Sequence, residues 1–474
     1  MNHARAVLWS MGQRYVPSLI HIVATLIITR KITPDDFGEV ALVMTFYQIA
    51  ILAVASGFGE GLMFRVKNSQ TMLSSVFFFN LFVAILLYLV LFLISDILAC
   101  YYAMPRLSIL IKITSLNIIL FSLSYLHKVR KQQDIDFKSL SVISIIASII
   151  GSIIGIALAY HGSGVWSIVS LTLSINFVEM VLLWLTSKWH PSMVFSWQEL
   201  KSIVPYSSKI LLSNLIQVFY DNIYSLVIGK VFNAKLLGYF NRMQTVVYYT
   251  TTNFMYSVEC VFFPVLCIKR NKSDNLAKSY ENLLRLSTFL AFPILVILIS
   301  LSKPIVVTIL TDKWIEGADV LRLVATAYLF VPIIYLNNSF LKIENQTGIL
   351  FYSNTIKKVI GIGILAISIF YGFMAVCYGV ILYYAIDAAI SIYCTHHYLG
   401  ISVWIQLRCL QNNIIINLIL WAVLRCVCYW SYSYEITFVL GTIIFLLFFS
   451  CVLKFGKFEE NRIVSHTIKK IVKK

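Results

Sequence analysis

The sequence predicts an all-α integral membrane protein of about 14 transmembrane helices, arranged as two parallel six-helix repeats followed by two C-terminal helices. Three observations carry this reading. Of 474 residues, 59% are hydrophobic and only 12% charged, against roughly 25% charged in ordinary soluble domains. Apolar runs of about 20 residues recur along the whole chain, each long enough to cross about 30 Å of hydrocarbon as a helix. The stretch RKITPDDFGEVALVMT (30–45) has an echo at KVFNAKLLGYFNRMQT (230–245).

Charged, Pro and Gly punctuation divides the apolar runs into spans near 10–29, 38–57, 74–95, 106–126, 140–160, 165–186, 205–229, 239–265, 283–301, 320–341, 355–371, 374–396, 411–429 and 434–453. The shortest reversals, YHGSG (160–164) and FYGF (370–373), carry the Gly expected where helices turn back quickly. At the second span, Thr33 suits an N-cap, Pro34 the first helical position, and Asp35 and Asp36 the positive end of the helix dipole. Tyr101, Tyr102, Trp189, Trp197, Trp314, Tyr429 and Trp430 fall near span ends, where an interfacial aromatic belt is expected. No small-residue cleavage site follows the first apolar run, so that helix is expected to remain in the protein.

The formal charge of +17 is read through topology. With the N-terminus inside, cytoplasmic loops and helix ends hold most of the 38 Lys and Arg, which satisfies the positive-inside rule. An even helix count returns the basic C-terminal tail to the cytoplasm. Nucleic acid is therefore not an expected partner; membrane lipids are. No connector exceeds about 20 residues, leaving no room for a soluble catalytic domain. Walker loops, HExxH and G-x-S-x-G are absent, and no enzyme is expected. Most of the nine cysteines lie in apolar runs, and Cys426-x-Cys428 lacks the companions of a zinc site.

The repeat sets Thr25 against Ser225, Leu26 against Leu226, Ile28 against Ile228, Arg30 against Lys230, Gly38 against Gly238 and Thr45 against Thr245. Gly164-Val165-Trp166 likewise matches Gly372-Phe373-Met374. An even number of helices separates the copies, so the halves enter the membrane in the same direction, an architecture in which transporters place a site between halves. The expected domains are 1–200, 201–400, and an addition at 401–474.

At these residues the sequence resembles the polysaccharide (O-antigen and exopolysaccharide) oligosaccharide flippases of the multidrug/oligosaccharidyl-lipid/polysaccharide exporter superfamily. The resembling segments are ITPDDFGEVAL (32–42), GSGVWSIV (162–169), YDNIYSLVIGKVFNAKLLGYFNR (220–242), FFPVL (262–266) and LTDKWIEGADVLRL (310–323). The resemblance implies a MATE-like, V-shaped fold around a central cavity. It also implies translocation of undecaprenyl-pyrophosphate-linked sugar units across a bacterial inner membrane, alongside other polysaccharide assembly proteins.

Such a task needs cations for pyrophosphate and polar or aromatic surface for a glycan. Arg14 and His21 share one face of the first helix, as a cationic stripe or as a snorkelling arginine and a core histidine. Lys209 and Asp221 occupy the seventh helix, and Asp221 is the repeat mate of His21. Arg242, Lys112, Arg322 and Arg425 lie near span ends, as interfacial anchors or substrate contacts. Tyr248, Tyr249 and Asn253, in VVYYTTTNFMY (246–256), form the preferred glycan surface. Asp221, Glu179 and Asp387 are candidates for H⁺ or Na⁺ coupling, with interhelical hydrogen bonding as the competing reading. Glu60 and Glu259 are a candidate gate with Arg65 or Lys269, and no cofactor or metal is expected.

Overall fold

The computed structural model describes residues 3–55, 58–64, 69–271, 276–430 and 433–455. The described residues form helices, turns and loops, without strands. They pack as two compact units, Met1–Gly238 and Tyr239–Lys474.

In chain order the first unit contains α1 (His3–Thr29), α2 (Pro34–Ala55), α3 (Phe58–Phe64), α4 (Gln70–Tyr101), α5 (Leu107–Thr114), α6 (Leu116–Gln133), α7 (Phe137–Tyr160), α8 (Trp166–Thr186), α9 (Trp197–Lys201) and α10 (Val204–Val231). The second contains most of α11 (Ala234–Asn271), then α12 (Leu276–Ser300), α13 (Ser302–Leu310), α14 (Gly317–Tyr328), α15 (Val331–Ile343), α16 (Thr347–Ser368), α17 (Phe373–Leu399), α18 (Val403–Trp430) and α19 (Tyr434–Phe455).

Every expected span coincides with a helix or a broken pair of helices. Among the described residues 13 spans are long and apolar enough to cross a membrane. In two of them, Leu107–Gln133 and Gly317–Ile343, a pair of shorter helices makes one span. The remaining expected span, 239–265, lies in the longer α11 and is not among the 13. Large apolar side chains such as Leu93, Leu185, Trp404 and Leu447 stand exposed along these helices, the inverse of a soluble surface and the expected face toward lipid.

The helix breaks have local causes. Between α5 and α6, the Asn117 side-chain amide donates to the Thr114 carbonyl at 3.0 Å, taking an acceptor from the backbone ladder. Pro332 lies in the first turn of α15, where its missing N–H is tolerated. Left-handed backbone recurs in pairs separated by nearly the same length of chain: Ala103 and Thr311, Ile135 and Asn345, Gly164 and Gly372.

The segment 30–45 forms the turn expected from its sequence. The Asp36 N–H donates to Thr33 Oγ1 at 3.2 Å, and Asp35 and Asp36 occupy the first turn of α2. Arg106 binds Asp36 at 3.1 Å. Gly38 and Gly238 meet. A Cβ on Gly38 would run into the Ala234 carbonyl and lie 3.0 Å from the Gly238 nitrogen; a Cβ on Gly238 would strike the Pro34 carbonyl and approach the Gly38 nitrogen at 3.1 Å. The two residues paired in the sequence repeat thus form one backbone crossing, of the kind that small residues permit between membrane helices.

Helix α7 uses the same device on α8. At Gly155 a Cβ would lie 2.7 Å from Leu171 Cβ and 3.0 Å from the Ser167 carbonyl oxygen.

Helix α10 packs against α2 within Met1–Gly238. Two placements differ from the sequence reading. Trp314 and Trp189, expected at the lipid interface, are buried. Trp314 packs edge to face on Tyr239 at 6.0 Å, and the Trp189 indole donates to Gln70 Oε1 at 2.7 Å. Tyr101, Trp197, Tyr429 and Trp430 are exposed, as a belt requires.

Gly38→Val is expected to lower the thermal unfolding midpoint in detergent, an overpacking cost of about 1–3 kcal/mol. Gly363→Ala, in α16 where nothing lies within 4 Å, should leave the midpoint unchanged or raise it.

Candidate functional site

A polar side chain in a membrane helix turns toward protein or a water-filled space, because hydrocarbon offers it no partner. In the first unit these groups form a seam through α2, α6, α7, α8 and α10. Asn176 and Glu179 lie one turn apart on α8. The Asn176 amide donates to Tyr47 Oη at 3.1 Å and to Asn117 Oδ1 at 2.7 Å. Glu179 takes Lys128 Nζ at 2.8 Å on one oxygen and the Ser144 hydroxyl at 3.2 Å on the other. On α10, Asn222 accepts from Thr45 at 3.2 Å and donates to Gln48 Oε1 at 3.2 Å, tying that helix to α2. Its neighbour Asp221 is exposed and accepts from Gln217 at 2.8 Å.

The second unit holds a more deeply buried pair. Lys357 on α16, with its side chain 2% exposed, binds Asp387 Oδ1 on α17 at 2.8 Å and donates to Ser391 at 2.8 Å. The Tyr280 hydroxyl lies 2.8 Å from Gln406 Oε1 and 3.1 Å from Asn337 Oδ1, joining α12, α15 and α18. Asn413 of α18 donates to Thr288 Oγ1 at 2.7 Å and to the Arg285 carbonyl at 3.0 Å. The first of the two C-terminal helices is therefore docked on α12 through buried hydrogen bonds.

The residues singled out in the sequence take varied positions. Arg14 is exposed and His21 half-buried on α1. Tyr248 is exposed and Tyr249 half-buried, with their rings edge to face at 6.0 Å. Thr250, in the same hydroxyl-rich run, turns back to the Val246 and Val247 carbonyls. Arg242 is buried at 4% exposure, deeper than a residue at a mouth would be. The side chains of Lys209, Asn253, Glu60 and Lys269, and all of Arg65, lie outside the described residues.

Glu259 instead accepts from Ser339 at 2.9 Å and from Lys342 at 3.3 Å. Lys112 pairs with Asp96 at 3.0 Å, and Arg322 with Asp319 at 3.1 Å. His397, at the end of α17, stacks on Tyr393 at 5.9 Å.

Glu179 and Asp387 entered as carboxylates without assigned partners, and the structure gives each a lysine. Neither lysine is marked locally in the sequence: Lys128 lies beside Arg130 and Lys131 near a span end, and Lys357 lies within a span with no acid nearby in the chain. The usable signal was the cost of a charge in hydrocarbon, about 2.5–3.5 kcal/mol at a helix centre, which predicts a nearby opposite charge. A buried pair is held by its geometry, and removing one partner leaves the other charge exposed to low dielectric. Lys357→Met and Asp387→Leu are each expected to cost about 3–5 kcal/mol, read as thermal midpoints in detergent. The double variant should recover most of that loss.

Comparison with known proteins agrees with this architecture. A family described as "Polysaccharide biosynthesis protein" matches residues 27–319. The teichuronic acid biosynthesis protein TuaB of Bacillus subtilis is 22% identical over 347 residues, covering 73% of this chain and 72% of that protein. The succinoglycan biosynthesis transport protein ExoT of Rhizobium meliloti is 24% identical, covering 76% and 73%. The lipopolysaccharide biosynthesis protein WzxC of Escherichia coli is 20% identical, covering 79% and 76%.

Among solved structures, the lipid II flippase MurJ in an inward closed conformation is similar with a TM-score of 0.73 at 15% identity, over 94% of this chain and 98% of that one. An inward-facing multidrug resistance MATE family transporter of the MOP superfamily is similar with a TM-score of 0.59 at 15% identity, over 84% and 98%. The fold is thus shared with these flippase and transporter structures. This multi-pass membrane protein belongs to the polysaccharide biosynthesis protein family.

Proposed function

We propose that this protein translocates oligosaccharide repeat units carried on undecaprenyl pyrophosphate across the bacterial inner membrane, by alternating access and without a chemical step. The product would feed assembly of a surface polysaccharide, with other assembly proteins downstream. The observation that carries the reading is a conjunction: a family match over residues 27–319 and a fold similar, over nearly the whole chain, to a lipid II flippase. The named relatives concern different glycans, so the sugar is left open. On the positive-inside rule both termini lie in the cytoplasm.

In this reading the cations Arg14, Lys209 and Arg242 meet the pyrophosphate, since charge-assisted contacts are the strong ones for phosphate. His21, Tyr248, Tyr249 and Asn253 meet the glycan. Glu179 and Asp387 act in gradient coupling by exchanging partners. Protonation of either carboxylate would release its lysine, Lys128 or Lys357, and loosen a helix pair. Asp221, bonded to Gln217, is the exposed alternative.

The likeness to a multidrug transporter motivates a second reading, a cation-coupled small-molecule exporter. Purified protein in liposomes with a fluorescent lipid-linked oligosaccharide separates the two. Transfer between leaflets that exceeds protein-free vesicles supports the flippase; drug efflux with no lipid transfer rejects it. Under an imposed H⁺ or Na⁺ gradient, Glu179→Gln, Asp387→Asn or Asp221→Asn should abolish the gradient's effect, with Asp387→Asn assayed together with Lys357→Met so that no buried lysine is left unpaired. If all three respond as the unmodified protein does, coupling lies elsewhere.

A further inference from the structure

The second unit contains a basic cavity that none of the networks above uses. Its volume is about 480 Å³, and its walls come from the end of α12, the starts of α13 and α14, the end of α18 and the start of α19. That volume lies within the roughly 300–1,000 Å³ range of small-molecule sites. Three cations, Lys303, Arg322 and Arg425, line it together with one carboxylate, Asp319. Arg322 spends part of its charge on Asp319 at 3.1 Å. Lys303 and Arg425 are exposed and have no acid partner among the described residues. Hydroxyls of Ser302 and Ser433 add polar groups to the lining, while that of Thr437 donates to the Ser433 carbonyl at 2.6 Å.

The surroundings identify the chemistry of a guest. Tyr429 and Trp430, 87% and 80% exposed, end α18 beside the cavity, and Tyr434, which lines it, begins α19. Exposed tyrosine and tryptophan at helix ends mark headgroup depth. Along α19 the chain exposes Ile436, Val439 and Leu440, and along α18 Ile414, Leu418 and Trp421. A cationic, hydroxyl-lined cavity at headgroup level, flanked by a lipid-facing apolar surface, fits a molecule with a phosphate head and acyl chains. Guanidinium groups suit phosphate oxygens because they donate two parallel hydrogen bonds.

We propose that this cavity binds the phosphate of an anionic phospholipid, held by Lys303, Arg322 and Arg425 while its chains lie along α18 and α19. The inference concerns a resident lipid and does not depend on which substrate is moved. It explains why three cations remain at the junction of the C-terminal helices with α12 to α14.

The test is native mass spectrometry of the full-length protein from detergent, after incubation with phosphatidylglycerol or phosphatidylcholine, with retained lipid counted as detergent is stripped. The protein should retain phosphatidylglycerol in preference to phosphatidylcholine. The Lys303→Gln/Arg425→Gln double variant should lose that preference, with about fivefold weaker retention for each cation removed. Both positions are exposed, so an unchanged thermal midpoint in phosphatidylcholine micelles verifies that the variant is folded. Inorganic phosphate at millimolar concentration should not displace the lipid, because the acyl chains contribute to binding. Equal retention of the two lipids, or a double variant that behaves as the parent, would overturn the proposal; displacement by inorganic phosphate alone would overturn its lipid part. Since the readout is lipid retention, its failure leaves the translocation assay unaffected.

Discussion

A polar group inside the hydrocarbon layer has no water to turn to, and the helical backbone and the paired side chains of this structure answer that constraint. The backbone meets it by forming helices wherever the chain spans the membrane. Side chains meet it by pairing: Glu179 with Lys128 and Ser144, Asp387 with Lys357, and Asn176 with Tyr47 and Asn117. Apolar residues both fill a buried core, as Leu42, Leu107 and Phe240 do, and cover the outward face, as Leu93 and Leu447 do. Contact between helices then rests on close packing of small residues and on buried hydrogen bonds, because lipid is as apolar as leucine.

That division explains the two kinds of joint in the molecule. Where Gly38 meets Gly238 the two backbones touch, and at Gly155 the α7 backbone packs against the Leu171 side chain and the Ser167 carbonyl of α8. Such contacts are steric and do not respond to charge. Where α8 meets α6 and α17 meets α16, the joint is an ion pair between a lysine and a carboxylate. A transporter that changes conformation with a gradient needs both kinds, fixed crossings that define rigid bodies and charged joints that can be released. The proposed coupling role for Glu179 and Asp387 rests on this distinction.

Much of the fold was legible in the sequence because lipid imposes a simple rule on composition. Span positions followed from apolar length, and the start of α2 from Thr33, Pro34 and Asp36, whose capping needs only local geometry. The internal echo set Gly38 and Gly238 at equivalent positions, but that the two glycines touch each other came only from the structure. Partners distant in sequence were not legible. Nothing local to Asp387 points to Lys357, and nothing in the "DN" of 221–222 says that Asn222 binds α2 while Asp221 stays exposed. The burial of Trp314 and Trp189 was also hidden, because an aromatic near a helix end fits equally well into a belt or a core until its neighbours are known. Likewise the basic cavity draws residues from five helices, and only two of its cations, Arg322 and Arg425, stood out along the chain.

The proposed function requires that the protein move a completed lipid-linked unit and leave its chemistry unchanged. Analysis of surface glycan and lipid-linked intermediates in a strain lacking the protein tests this most directly. The account predicts loss of the surface polysaccharide together with accumulation of the lipid-linked repeat unit at the cytoplasmic leaflet. Single repeat units displayed at the cell surface would contradict it, since they would show that translocation proceeds without the protein and that the missing step is polymerisation.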